Sequence, residues 1–233
     1  MSTEHDSLAF CEEPSRWERI KTVVTVPPSE RWGINDSHLN GYSERAGYVG
    51  TAFREHVDTP ELVSVITRQL DGQEDCVGLD LAGGKNGVAL QELVARGIIQ
   101  KGLFTNYQDW RKSSTKANAD SQTHIDGNLL RRDTWSRIIE WADTEAPQGF
   151  AVVMHQPGGA LQGLSASFYR GAIHQLIDIT RPGGIVFTKI PMRLRKDKAV
   201  LTEVCGSIKS RDDVERAELT PSGRSAILYR KSS

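Results

Sequence analysis

Apolar residues along the chain follow two rhythms. Short runs occur at Cys76-Val77-Gly78-Leu79, Gly102-Leu103-Phe104-Thr105-Asn106, Phe150-Ala151-Val152-Val153-Met154 and Ile185 to Ile190, each bounded by Gly, Pro or polar residues. Such runs predict strands buried on both faces. Between them apolar residues recur at helical spacing: Leu62, Val63, Ile66 and Leu70; Val88, Ala89, Leu90, Leu93 and Val94; Trp135, Ile138, Ile139 and Ala142; Phe168, Ala172, Ile173, Leu176 and Ile177. Thr59 and Pro60 fit the start of the first helix, because proline's fixed φ suits the first helical turn, and Asp71-Gly72 ends it. Arg96-Gly97 ends the second, and Asp133 is the expected cap of the third. A further strand is predicted from Ser121 to Asp126 and a further helix near Lys198–Cys205. Two closing strands, Val214–Leu219 and Ser225–Arg230, are joined by a hairpin-length connection.

Strands alternating with helices predict an α/β domain with a doubly wound, mainly parallel sheet of seven strands, the last one antiparallel. The domain is expected over residues 58–233. Residues 1–57 read differently. Residues 1–12 suggest a frayed end, helix-compatible spacing starts near Pro14-Ser15-Arg16-Trp17 and stops before Pro27-Pro28, residues 29–42 are loop-like, and a helix is predicted from Ser43 to His56. This segment is expected to form an N-terminal helical cap or lid.

Composition narrows the function. The formal net charge is −1 with a pI of about 6.6, whereas general nucleic-acid binders carry a basic balance. Strong nucleic-acid binding is therefore not expected, although the local patch from Arg193 to Lys198 leaves a basic face open. The three cysteines, Cys11, Cys76 and Cys205, are widely separated and form neither a disulfide framework nor a zinc spacing. No metal is expected. No apolar run approaches the ~20 residues of a membrane span, and the acidic start Met1 to Asp6 is unlike a signal peptide. A soluble cytoplasmic protein is the expectation; the oligomeric state is left open.

The chemistry concentrates at Leu79-Asp80-Leu81-Ala82-Gly83-Gly84-Lys85-Asn86-Gly87, a strand end, an acid and a glycine turn leading into a helix. Glycines let a backbone approach a ligand closely, and the free N–H groups opening a helix favour acceptor atoms and negative charge. A phosphate-binding P-loop would need a glycine where Leu79 stands and Ser or Thr where Asn86 stands. The dinucleotide fingerprint is nearly met by Ala82, Gly84 and Gly87, but Asp80 stands where that fingerprint usually has an apolar residue.

The segment Leu79 to Gly84 resembles motif I of the class I S-adenosylmethionine (SAM)-dependent methyltransferases, in which an acid two residues before the turn ends the first strand. The turn Arg181-Pro182-Gly183-Gly184 before Ile185-Val186-Phe187 is similar to that family's Pro-Gly-Gly ahead of strand 5, about a hundred residues further on. The resemblance covers roughly residues 58–231 and implies a Rossmann-like sheet whose seventh, antiparallel strand inserts beside the fifth. It also implies SAM as cofactor, held by Asp80, Ala82, Gly83, Gly84, Asn86 and Gly87.

Three departures accompany the resemblance. The family's strand 2 ends in an acid that accepts from the ribose hydroxyls; here the strand end offers Asn106, with Asp109 as the alternative. After strand 3 the family presents an acid to the adenine amino group; here Asp126 or Asn128 stands. Asn86 replaces a third glycine, and Asn tolerates positive φ better than most residues. At the end of strand 4, His155-Gln156-Pro157-Gly158-Gly159 only partly echoes the motif of amino-directed methyltransferases. His155 is the candidate base for an acceptor hydroxyl, since imidazole titrates near neutrality, or a hydrogen-bond partner of the cofactor. Lys189 at the end of strand 5 is a second polar candidate on the same rim, and Tyr42 and Tyr48 are candidate walls of an acceptor pocket. The expected function is SAM-dependent methyl transfer to the oxygen or nitrogen of a small molecule. An NAD(P)-dependent oxidoreductase, a nucleic-acid methyltransferase and a non-methylating member of the fold, acting as a binding module, are the alternatives.

Overall fold

The structure, a computed structural model, describes residues 62–81, 87–106, 121–127, 129, 132–155, 166–190, 197–220 and 225–232. The predicted cap over residues 1–57 lies outside them. The described elements are α1 (Leu62–Leu70), β1 (Val77–Leu81), α2 (Val88–Ala95), β2 (Lys101–Asn106), β3 (Gln122–Asp126), α3 (Arg132–Glu145), β4 (Phe150–His155), α4 (Ala166–Ile179), β5 (Thr180–Lys189), α5 (Lys198–Lys209), β6 (Val214–Leu219) and β7 (Ser225–Arg230).

The strands form a seven-stranded sheet in the order β3-β2-β1-β4-β5-β7-β6. The pairs from β3 to β5 are parallel, and β7 is antiparallel to both β5 and β6. The final strand thus inserts beside the fifth, as expected, and the chain has the Rossmann-like arrangement. Its strand order reverses between β1 and β4, which is where open α/β sheets form their ligand crevice, beyond the carboxyl ends of the strands.

Each face of the sheet is buried under its own helices, which is why the central strands are apolar except toward their carboxyl ends. Alternation sends Leu79, Leu81, Val153, Val186 and Leu228 into one core with α3, α4 and α5. The intervening residues Met154, Ile185, Phe187, Ile227 and Tyr229 go into the other, with α1 and α2. Helix α2 lies unusually close to the sheet. Gly78 and Gly102 are register partners on β1 and β2, and a Cβ on either would stand 2.8 Å from a methyl of Leu90. The two bare backbones therefore form the seat for that side chain.

Several predicted boundaries shift. The Pro-Gly-Gly segment is a bulge within β5 and not a turn ahead of it. Thr180 pairs with Phe150, and the ladder resumes at Ile185 opposite Val152. The bulge is held from outside: Gly183 has φ +73°, and its carbonyl accepts from Gln69 and Gln73 at 3.0 and 3.2 Å. Arg181, at the bulge's start, donates to the Glu74 and Asp75 carbonyls, Gln73 Oε1 and Cys76 Sγ. Asp133 lies in the first turn of α3 rather than capping it, a position where a carboxylate still complements the helix dipole. Helix α5 continues past Cys205 to Lys209, with Asp197 as its N-cap, accepting from the Val200 amide at 3.1 Å. In α4, Ile173, Leu176 and Ile177 are buried, whereas Ala172, expected to face inward, is only half-buried.

Candidate functional site

The amino and carboxyl edges of the sheet differ in how their polar groups are satisfied. At the amino edge the half-buried cations Arg211 and Arg230 are paired. Arg211 pairs with Asp213 and Asp178 at 2.7 and 2.6 Å, and these hydrogen bonds, Asp213 foremost, lift its pKa above the ordinary arginine range. Arg230 pairs with Asp213 and donates to the carbonyls of Ile177, Asp178 and Thr180. A cleft of about 220 Å³ opens at this edge, but Lys101 and Glu145 on its wall pair with each other at 2.6 Å, and Arg181 is fully engaged.

The carboxyl edge carries the opposite pattern. Asp80, the penultimate residue of β1, is completely buried, and neither carboxyl oxygen has a hydrogen-bond partner among the described residues. Buried polar groups are almost always bonded, so an orphaned carboxylate calls for a missing partner. Burial pushes its pKa up to about 8. The other partnerless buried side-chain atoms among the described residues are Ser225 Oγ, at the start of β7, and Arg170 Nε and Gln175 Nε2 on α4. Asp80 lies opposite Phe104 and Met154 in the ladders. By alternation with Leu79 and Leu81 it faces the α1–α2 side.

Gly87 directly precedes α2. It is the helix N-cap, with φ 58° and ψ 37°, and its carbonyl accepts from Gln122 Nε2 at 3.2 Å. A Cβ there would stand 2.6 Å from the Phe104 ring. The residue is thus fixed as glycine by conformation and by packing. Ala82, Gly83, Gly84 and Asn86, which carry the rest of the motif, lie outside the described residues, as do Asp109, Asn128, Tyr42 and Tyr48.

Asn106 ends β2 buried, on the same face as Asp80. Its Nδ2 lies 3.4 Å from His124 Nε2, and the His124 ring packs on Phe104 with centroids 4.8 Å apart. The amide nitrogen therefore turns toward β3, which leaves the carbonyl oxygen as the group available to a ligand. Its backbone carbonyl accepts from the Gly127 amide at 2.8 Å. Asp126, its register partner on β3, is exposed and paired with Arg137 at 3.3 Å.

His155 ends β4, opposite Leu81 on β1 and Thr188 on β5. It is buried, and burial pushes its pKa down to about 4. Its Nδ1 lies 3.0 Å from Thr188 Oγ1, and Tyr169 of α4 reaches both Thr188 Oγ1 at 3.4 Å and the Lys189 carbonyl at 3.2 Å. This cluster faces the α3–α5 side. The sheet brings Asp80, Asn106 and His155 to one edge, but it divides them between its two faces. Lys189, on the α1 side, stands opposite Ser225 in the β5–β7 ladder. Thr188 and Tyr169 are absent from the sequence-based candidates. A threonine in a buried strand and a tyrosine on a helix read as core packing, and only the register of β4 on β5 brings them to His155.

The seven-stranded Rossmann-like sheet, with an antiparallel β7 between β5 and β6, is the arrangement that the resemblance to the class I methyltransferases implies. No protein-family model and no curated protein matches the chain. Among solved structures it is similar to MycE, a methyltransferase of the mycinamycin biosynthetic pathway solved with Mg and SAH. The identity is 15% and the TM-score 0.48, over 83% of this chain and 49% of that one, so the chain spans about half of MycE's length. It is also similar to magnesium protoporphyrin IX methyltransferase from Synechocystis PCC 6803 with bound SAM. Here identity is 11% and the TM-score 0.46, over 95% and 99% of the two chains. An rRNA methylase from Streptococcus thermophilus is similar at 14% identity and a TM-score of 0.43, over 72% and 95%.

Proposed function

We propose that the chain is a SAM-dependent methyltransferase acting on the oxygen or nitrogen of a small molecule. The observation that carries this is Asp80, a buried carboxyl at the end of β1 with no partner among the described residues, beside the point where the strand order reverses. A ligand that brings a cationic or N–H group is what this carboxyl lacks. SAM fits, since it carries an ammonium and a sulfonium, and when bound it supplies the methyl group in electrophilic form. On this reading Asp80 and the turn Ala82, Gly83, Gly84, Asn86 and Gly87 hold the methionine half. Asn106 accepts one ribose proton through its amide oxygen, more weakly than a carboxylate would, and Asp126 or Asn128 serves the adenine. His155 stays neutral at physiological pH and is the group suited to take a proton from an acceptor hydroxyl. Tyr42 and Tyr48 are assigned to the acceptor side.

Calorimetric titration with SAM, S-adenosylhomocysteine, NADH and NADPH side by side tests the assignment. SAM and its demethylated product should bind and the nicotinamides should not; tight NADPH binding with no response to SAM would overturn it. Adding RNA and DNA at physiological salt separates the nucleic-acid alternative, which requires submicromolar affinity with a steep salt dependence.

A further inference from the structure

A chain of polar groups leads from the carboxyl edge into the α4 face: His155 Nδ1 to Thr188 Oγ1 at 3.0 Å, Thr188 Oγ1 to Tyr169 Oη at 3.4 Å, and Tyr169 Oη to the Lys189 carbonyl at 3.2 Å. His155, Thr188 and Tyr169 are all buried, so their protons should find acceptors. Two arrangements are open to the imidazole. In the first, Nδ1–H donates to Thr188, the Thr188 hydroxyl donates to Tyr169 and the Tyr169 hydroxyl donates to the Lys189 carbonyl, so each of the three protons makes a bond. The Thr188 hydroxyl also lies 3.4 Å from the Lys189 carbonyl, an alternative acceptor that leaves the ring proton where it is. In the second, Thr188 donates to Nδ1 and Tyr169 to Lys189. Only two bonds then form within this chain of groups, and the ring proton sits on Nε2, which has no acceptor among the described residues. The first arrangement makes more bonds, and such chains strengthen cooperatively in a low-dielectric interior.

We infer that Thr188 and Tyr169 are positioning residues that hold His155 as the neutral Nδ1–H tautomer, with the Nε2 lone pair presented at the strand ends to a ligand group that brings a proton, a hydroxyl or an ammonium. The tautomer is argued from the hydrogen bonds within the protein; only the identity of what meets Nε2 rests on the methyltransferase reading. Burial supports it independently by keeping the ring uncharged at neutral pH. In a site arranged this way an anionic group opposite Nε2 is disfavoured, because a lone pair faces it.

Nitrogen-15 NMR of the unliganded, labelled protein at pH 7 decides the matter. Nδ1 of His155 should show the protonated-type shift and Nε2 the unprotonated type. Thr188→Val removes the hydroxyl at constant shape and should move the ring toward the Nε2–H tautomer, while Thr188→Ser should restore the wild-type pattern. Tyr169→Phe should leave the Nδ1–H form in place but in exchange with the other tautomer, and it serves as the second probe should Thr188→Val not fold. An Nε2–H ring in the wild-type protein, or tautomers unchanged by both Thr188→Val and Tyr169→Phe, would overturn the inference. Because the spectrum is recorded without ligand, its outcome is separate from whether SAM binds.

Discussion

At the residue scale, Asp80 and His155 make opposite demands on pH. The Asp80 carboxyl has a folded-state pKa raised to about 8 from 3.8, so the folded protein holds a proton there that the unfolded chain has lost. That contribution is fully present below the unfolded value and disappears as pH rises toward 8. His155 is depressed to about 4 from 6.5; its neutral form is favoured by folding, and the protein loses stability as pH falls through that window. Above pH 6.5 the Asp80 effect dominates, because His155 and His174, both held below their ordinary value by burial, add only the tail of their titration in the unfolded chain. Raising the pH from 6.5 to 8 should cost the unliganded protein at most about 2 kcal/mol. Thermal or urea unfolding across that interval measures the slope, and Asp80→Asn should flatten it. An equally steep slope in the variant would assign the effect to another group.

Asn106 carries a second residue-scale prediction. A neutral amide in place of a carboxylate forgoes about 1 kcal/mol of ribose binding, or roughly five- to tenfold in affinity. Asn106→Asp should tighten SAM binding by about that factor, provided His124 moves its ring proton to Nε2 to meet the new oxygen. Asn106→Ala should weaken binding. If Asn106→Asp is silent while Asp109→Ala costs tenfold, Asp109 holds the ribose.

At the scale of elements, the start of helix α2 is set by glycine. Gly72 and Gly87 both have positive φ, +71° and +58°, but a Cβ at Gly72 meets nothing within 4 Å whereas one at Gly87 meets the Phe104 ring at 2.6 Å. Gly72→Ala should therefore cost only the left-handed backbone penalty, about 1 kcal/mol. Gly87→Ala adds overpacking and should cost about 2–4 kcal/mol. Denaturant unfolding of the two variants checks the difference; equal costs would show that the Phe104 contact is loose. The strands themselves were legible because burial on two faces writes itself as unbroken apolar runs. The bulge in β5 was not. Arg181-Pro182-Gly183-Gly184 carries ordinary turn chemistry, and what makes it a bulge is its tertiary anchoring to Gln69 and Gln73 on α1 and beside it, and of Arg181 to the segment leading into β1. No local signal contains that information.

For the whole molecule, the doubly wound sheet and its antiparallel last strand could be read from the order of apolar runs, because alternating strands and helices admit few topologies. The site was legible only in part. Asp80, Asn106 and His155 were visible as polar residues at the ends of apolar runs, so their arrival at one edge was foreseeable. Their division between the two faces depends on side-chain parity in each strand, which shifts with a single residue of register. The Asn106–His124 contact and the His155–Thr188–Tyr169 chain depend on pairing between strands or helices far apart in sequence. No helix among the described residues is long and apolar enough to cross a membrane.

The most direct test combines binding with proton counting. SAM is titrated at pH 7 in two buffers of different ionisation enthalpy, against the wild-type protein and Asp80→Asn. With a pKa of about 8 in the unliganded protein, Asp80 is about 90% protonated at that pH, and seating a cation against it should expel most of that proton. The expected result is SAM binding to the wild-type protein with a release of nearly one proton relative to the variant, which also binds more weakly. Absence of SAM binding, or binding with the same affinity and proton balance in both proteins, would contradict the assignment of Asp80 and its glycine turn as the cofactor site.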